Sequence, residues 1–157
     1  MTETLPTVDD ETTPETSNET APEDNQQAAP VTDLLVNMFI RQIGHKLEYD
    51  QMYRAKGLDP VPQGGWGNLN DPRLQLEIRT TFAYLTEELM EAINLLKNKP
   101  WRQSARETDP EAFYSELADA WHFWLELMIL CGMTPDLIAK YYFKEAEKND
   151  TRRAEGY

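Results

Sequence analysis

The sequence predicts an all-α protein, a helical bundle of four main helices. Three observations lead there. Apolar residues recur every three or four positions through long stretches between residues 32 and 152. An Asp or Thr followed directly by Pro opens three of those stretches, at Asp71-Pro72, Asp109-Pro110 and Thr134-Pro135. Each pair supplies an N-cap oxygen and a proline suited to the first helical position. No segment alternates apolar and polar residues as a half-exposed strand would.

The first helix begins near Thr32. Leu35, Met38, Phe39, Ile43, Leu47 and Met52 mark its apolar positions, and Gly57 supplies a stop. Residues 58–71 read as a loop, because Pro60, Pro62, Gly64, Gly65 and Gly67 interrupt any regular element. The second helix is expected from Pro72 to about Asn98, with Ile78, Phe82, Leu85, Leu89, Ile93 and Leu96 on its apolar face and Pro100 ending it. The third starts at Asp109-Pro110, carries Phe113, Leu117, Trp121, Trp124 and Met128, and stops at Gly132. Phe123, Leu125, Leu127, Ile129 and Leu130 make it apolar nearly all round, which predicts burial on most sides. In so small a bundle a second subunit is the natural cover, so a homodimer or higher homo-oligomer is expected. The fourth helix opens at Thr134-Pro135, uses Leu137, Ile138, Tyr141 and Tyr142, and runs to about Arg152.

Residues 1–30 differ in kind. They are rich in Thr, Pro, Glu, Asn and Gln, contain eight acids, and lack Lys and Arg. Such a segment buries too little surface to offset its ordering entropy, so it reads as a disordered acidic tail before a single domain at 31–157. Of the chain's 28 acids, 20 remain in that domain against 15 Lys and Arg, so it is only mildly acidic. Duplex nucleic acid, which demands clustered cations, is excluded as a partner on that basis. No apolar run reaches the length of a membrane span, and the N-terminus lacks the features of a secretory signal. The single cysteine, Cys131, sits in an apolar run and reads as a small hydrophobe in a reducing, cytoplasmic setting.

The chemistry-bearing residues are carboxylates. On the second helix Glu87, Glu88 and Glu91 stand three and four apart; on the third, Glu116 and Asp119 stand three apart. Those spacings put each set on one helix face. Leu85, Leu89 and Ala92 bracket the first set, while Leu117, Ala118, Ala120 and Trp121 interleave the second. Packing the two helices antiparallel would gather four or five carboxylates inside the bundle, at a cost of several kcal/mol per uncompensated charge. A hard divalent cation removes that cost, and carboxylate oxygens are the ligands Mg²⁺ takes. A di-iron bundle would need two Glu-x-x-His pairs. His45 and His122 are the only histidines, and His122 reads as a supporting or core residue.

Lys144, Lys148 and Arg152 lie four apart along the fourth helix. They complement the negative helix end, and such cations also hold phosphates. Residues from about 32 to 157 here resemble the all-α nucleoside triphosphate pyrophosphatases (the MazG-like superfamily), and within them the dimeric dUTPases of bacteriophage type. Glu-Glu-Leu-Met-Glu at 87–91, Leu-Lys-Asn-Lys-Pro-Trp at 96–101, Glu-Leu-Ala-Asp-Ala-Trp-His-Phe at 116–123 and the closing Asn149-x-x-Arg152-x-x-x-Gly156-Tyr157 carry the resemblance. It implies that Glu88, Glu91, Glu116 and Asp119 bind two or more Mg²⁺ ions, with Mn²⁺ as a substitute. It implies that Asn149 bonds the deoxyribose, that Arg152 and Tyr157 contact phosphates, and that Gln42 helps line a base pocket. Two positions depart from the pattern: Lys46 stands where the family often has a uracil-reading Asn, and Glu145 where it has a phosphate-binding Lys, a role open to Lys144 or Lys148. Trp66, Trp101 and Phe39 are candidates to enclose a base, with packing roles as the alternative.

The resulting expectation is Mg²⁺-assisted hydrolysis of dUTP to dUMP and diphosphate in the cytoplasm, that of the host if the chain is of phage origin. The metal would neutralise the triphosphate and acidify a water, and Glu88 or Glu91 would accept the proton. Two alternatives stand beside it: a MazG-like enzyme acting on another or several deoxynucleotides, and a helical protein that binds a nucleotide or partner without turning it over.

Overall fold

The structure is a computed structural model and describes residues 31–156, with side chains from Leu34 onward. The reading of residues 1–30 as a tail, and the role given to Tyr157, lie outside the described residues. Four helices follow in order: α1 Val31–Ala55, α2 Pro72–Leu95, α3 Pro110–Leu130 and α4 Pro135–Ala154. A short 3-10 turn at Gln63–Gly65 interrupts the α1–α2 connection, and no strand occurs among the described residues.

The start signals act as the sequence implies. The Asp71 carboxylate accepts from the amide of Arg73, Asp109 from those of Glu111 and Ala112, and the Thr134 hydroxyl from that of Leu137. The helix ends differ by a few residues from expectation. α2 stops at Leu95, short of Asn98, where Leu96 turns back to donate to the Ile93 carbonyl. α4 continues past Arg152 to Ala154.

α2 and α3 share the most extensive contact, α1 lies on α3, and α4 touches α1. Leu74 of α2 clusters with Leu130 of α3, and Leu85 with Ala120 and Leu127. Ascending positions on α2 thus meet descending positions on α3, so the two run antiparallel. Phe39 of α1 joins Leu125 and Ile129, with Ile138 of α4 beside them. One close approach fixes the loop between α1 and α2: the Gly67 amide donates to the Leu130 carbonyl at 2.9 Å. There Gly67 and Gly132, both at positive φ, pack backbone to backbone, and a Cβ on Gly132 would meet the Gly67 Cα at 2.8 Å.

The buried stripe of α2 is not the expected one. Leu74, Thr81, Leu85 and Ala92 are buried, whereas Phe82, Leu89, Ile93 and Leu96 are exposed. The expected face mixed two stripes: Leu85 belongs to the one packed on α3, and the larger apolar residues belong to one facing outward. On α3, Tyr114, Leu117, Trp121 and Trp124 are likewise exposed. In one chain α3 is therefore covered on one side up to Trp124, while from Leu125 to Leu130 every residue is buried or half-buried, as expected.

Candidate functional site

Antiparallel packing of α2 on α3 sets the carboxylates face to face. One oxygen from each of Glu88, Glu116 and Asp119 lies within 4.8 Å of the other two. Burial, reinforced by the charges of Glu91, Asp119, Glu116 and Glu87, raises the Glu88 pKa above its ordinary value. The trio offers the hard oxygen donors that Mg²⁺ takes. At a Mg–O distance of about 2.1 Å, adjacent oxygens of an octahedral ion stand about 3 Å apart and opposite ones about 4.2 Å, so the three carboxylates would have to draw together around an ion. Glu91, expected among the ligands, is exposed and stands outside the trio, close enough to Glu88 to act through its charge.

Glu88 and Asp119 also line a cavity of about 460 Å³ between α1, α2 and α3. Tyr49, Tyr53, Tyr84 and Phe123 give it aromatic walls. Gln42, Lys46, His122 and Glu126 supply polar groups. A cavity of this size, mostly apolar with a few convergent polar groups, has the character of a small-molecule site. Gln42 thus lies in the same cavity as two of the carboxylates.

The polar groups hold one another in place. Gln42 Oε1 lies 2.8 Å from His122 Nδ1, and Gln42 Nε2 donates to Glu126 Oε2 at 3.4 Å. Lys46 is almost wholly buried and pairs with Asp50 on its own helix and Glu77 on α2. Burial works against its ammonium, but the hydrogen bonds it donates to Asp50 and Glu77, with their charges, outweigh that and raise its pKa. Asp50 is fully buried, and its Oδ2 has no hydrogen-bond partner among the described residues. Burial also raises the Glu126 pKa; Lys46 opposes the rise, while Glu77 and Asp50 add to it. A second cavity of about 460 Å³ shares Lys46, Tyr53, Tyr84 and Glu126 with the first and opens toward Asp59 and Arg73.

The α4 residues sit elsewhere. Lys144, Lys148, Asn149 and Arg152 are exposed, and none lines the carboxylate cavity. Lys148 is paired with Glu145, whose pKa that hydrogen bond lowers. Phe39 belongs to the core, and Trp66 packs beneath two core clusters with its Nε1 donating to the Val61 carbonyl at 3.1 Å. Trp101 is exposed. Packing accounts for the first two.

Sequence reasoning did not single out Glu126, Asp50, Glu77 or the tyrosines. Glu126 did leave a signal, as the lone charge in the apolar run from Phe123 to Cys131. It is also the next acid on the face that Asp119 and His122 begin. No protein-family model, curated protein or solved structure matches this chain. No described helix is long and apolar enough to cross a membrane.

Proposed function

We propose that this protein is a Mg²⁺-dependent nucleoside triphosphate pyrophosphohydrolase, acting on dUTP to release dUMP and diphosphate. The observation that carries the reading is the convergence of Glu88, Glu116 and Asp119 at an aromatic-walled cavity that also contains Gln42. Mg²⁺ held by those carboxylates supplies neutralisation of the polyphosphate and a more acidic water. The chain's own residues do the rest. Glu88, half-buried beside the other carboxylates, takes a proton on its carboxylate oxygen. Tyr49, Tyr53, Tyr84 and Phe123 supply aromatic faces for the base.

Phosphate contacts from α4 come from a second copy in this reading, because Lys144, Lys148 and Arg152 do not reach the cavity of their own chain. The exposed Leu117, Trp121 and Trp124 give that copy an apolar surface to cover.

The same distance of α4 from the cavity favours one competing reading, a nucleotide-binding protein without turnover. A panel of deoxynucleoside triphosphates with Mg²⁺, read by pyrophosphate release, separates them. Preferred turnover of dUTP is the expected result. Equal or better turnover of other deoxynucleotides replaces the substrate, and no turnover of any overturns the hydrolase.

A further inference from the structure

The cavity holds a carboxylate that metal binding leaves unused. Glu126 stands two helical turns beyond Asp119 on α3, about 10 Å along the axis at 1.5 Å per residue. That separation is close to the span of a nucleoside from its 5′ oxygen to the far edge of its base. A nucleotide with its phosphates at the trio therefore brings its base edge to Glu126.

The groups around Glu126 form an ordered pattern. Gln42 and Lys46 are four apart on α1, and both line the cavity. The Gln42 carbonyl is engaged by His122, which leaves its NH₂ toward Glu126 with one hydrogen to spare. Lys46 commits two of its three ammonium hydrogens to Asp50 and Glu77. Glu126 is bonded to Gln42 and attracted by Lys46. Its Oε1 makes no hydrogen bond among the described residues although the side chain lines the cavity. Across the cavity the protein thus offers donor, acceptor, donor.

We propose that Glu126 is a specificity-determining residue whose free carboxylate oxygen accepts the ring N–H of an imide-edged pyrimidine, while Gln42 and Lys46 donate to its two flanking carbonyls. Uracil presents carbonyl, N–H, carbonyl, the complement of that row. Cytosine presents a ring lone pair to the carboxylate and an amino group to a donor, and both contacts repel. Guanine presents two adjacent donors, and its amino group meets a donor of the protein. The row does not separate uracil from thymine, which share this edge. Lys46 is then not a loss of base reading but a charged donor at a position where an amide would offer a neutral one.

The inference rests on the nucleotide reading for the identity of the ligand, and the experiment separates the two. Binding of Mg²⁺ complexes of α,β-imido-dUTP and α,β-imido-dCTP, which resist cleavage, is measured calorimetrically on the full chain. Wild-type protein is expected to hold the uracil analogue at least about tenfold more tightly, because a buried acceptor left facing a lone pair is costly. In Glu126→Gln the amide turns either its oxygen or its NH₂ to the ligand, so the ratio falls toward one. Mg²⁺ binding without nucleotide stays unchanged. Should that variant fail to fold, Glu126→Met removes the acceptor at similar volume and is expected to abolish the preference likewise. A folded variant that keeps the wild-type ratio overturns the proposal, as does wild-type protein that binds both analogues equally. Selective, Glu126-dependent binding without turnover of any triphosphate overturns the hydrolase and supports this assignment.

Discussion

His122 Nδ1 stands 2.8 Å from Gln42 Oε1, a contact that joins α3 to α1 across the cavity. With the proton on Nδ1 the histidine donates, and the Gln42 amide has one orientation, its NH₂ toward Glu126. Remove the imidazole and the amide is free to turn over. His122→Phe is therefore expected to raise KM for the nucleotide about tenfold, with kcat nearly unchanged, since the contact orients a binding group rather than a reacting one. Steady-state kinetics of the variant checks the split; an equal fall in kcat and kcat/KM would place His122 in the chemical step instead.

The carboxylates divide by position. Glu116 belongs to the close trio, while Glu91 is exposed beside it. Glu116→Gln is expected to lower kcat/KM by about 100-fold or more, beyond the loss typical of a merely supporting residue, and Glu91→Gln by about tenfold. Mg²⁺ titrations of both variants, followed by turnover, check the order. Equal losses would bring Glu91 into the ligand set that the resemblance implied.

Much of this was legible in the chain. Asp71-Pro72, Asp109-Pro110 and Thr134-Pro135 mark helix starts because capping is local chemistry, readable from two adjacent residues. The pairing of Glu88 with Glu116 and Asp119 was legible through Leu85 and Ala120, which pack α2 on α3, although Leu89, Leu117 and Trp121, which also bracket the acids, are exposed. What escaped was nonlocal. Phe82 and Leu85 both fit a helical apolar face, but only the partner helix decides which stripe is covered, and α3 covers Leu85. The Lys46 interactions escaped likewise, because Glu77 lies on another helix and periodicity says nothing about which charged groups meet.

Glu126 gives the protein a pH-dependent stability term. Burial raises its folded-state pKa above the ordinary carboxylate value, with Glu77 of α2 and Asp50 of α1 adding to the rise and Lys46 and Gln42 of α1 opposing it. A carboxyl whose folded pKa is raised favours folding most while protonated, and that contribution is lost as pH rises through the folded value. Wild-type protein is expected to lose stability relative to Glu126→Gln over that interval, then to run parallel to it at higher pH. Urea midpoints of the pair from about pH 4 to about pH 8 check the sign; a wild type that gains on the variant as pH rises would contradict it.

Trp121 and Trp124 are about half exposed on α3, next to the similarly exposed Leu117. A face of this kind is expected to be covered by a second copy. Sedimentation of wild-type protein should therefore give a dimer or larger, and Trp121→Glu should shift it toward monomer by burying an unpaired charge at the contact. A wild type that sediments as a monomer at all concentrations would leave the α4 cations without a route to the site.

The Lys46–Asp50 pair separates structural charge from functional charge. Asp50 is fully buried with one oxygen already unpartnered, so Lys46 is what its carboxylate has. Lys46→Met strands that charge and is expected to destabilise the fold by about 3 kcal/mol or more. The double change Lys46→Met with Asp50→Leu removes the fully buried charge and is expected to recover part of the loss, the remainder reflecting Glu77, which still loses its cation. Urea unfolding of the single and double variants gives the coupling energy. Recovery of stability in the double variant, together with a collapsed preference for the uracil analogue, would assign Lys46 to base reading and Asp50 to holding it. Recovery with that preference intact would make the pair a structural device and leave Gln42 and Glu126 alone to read the base.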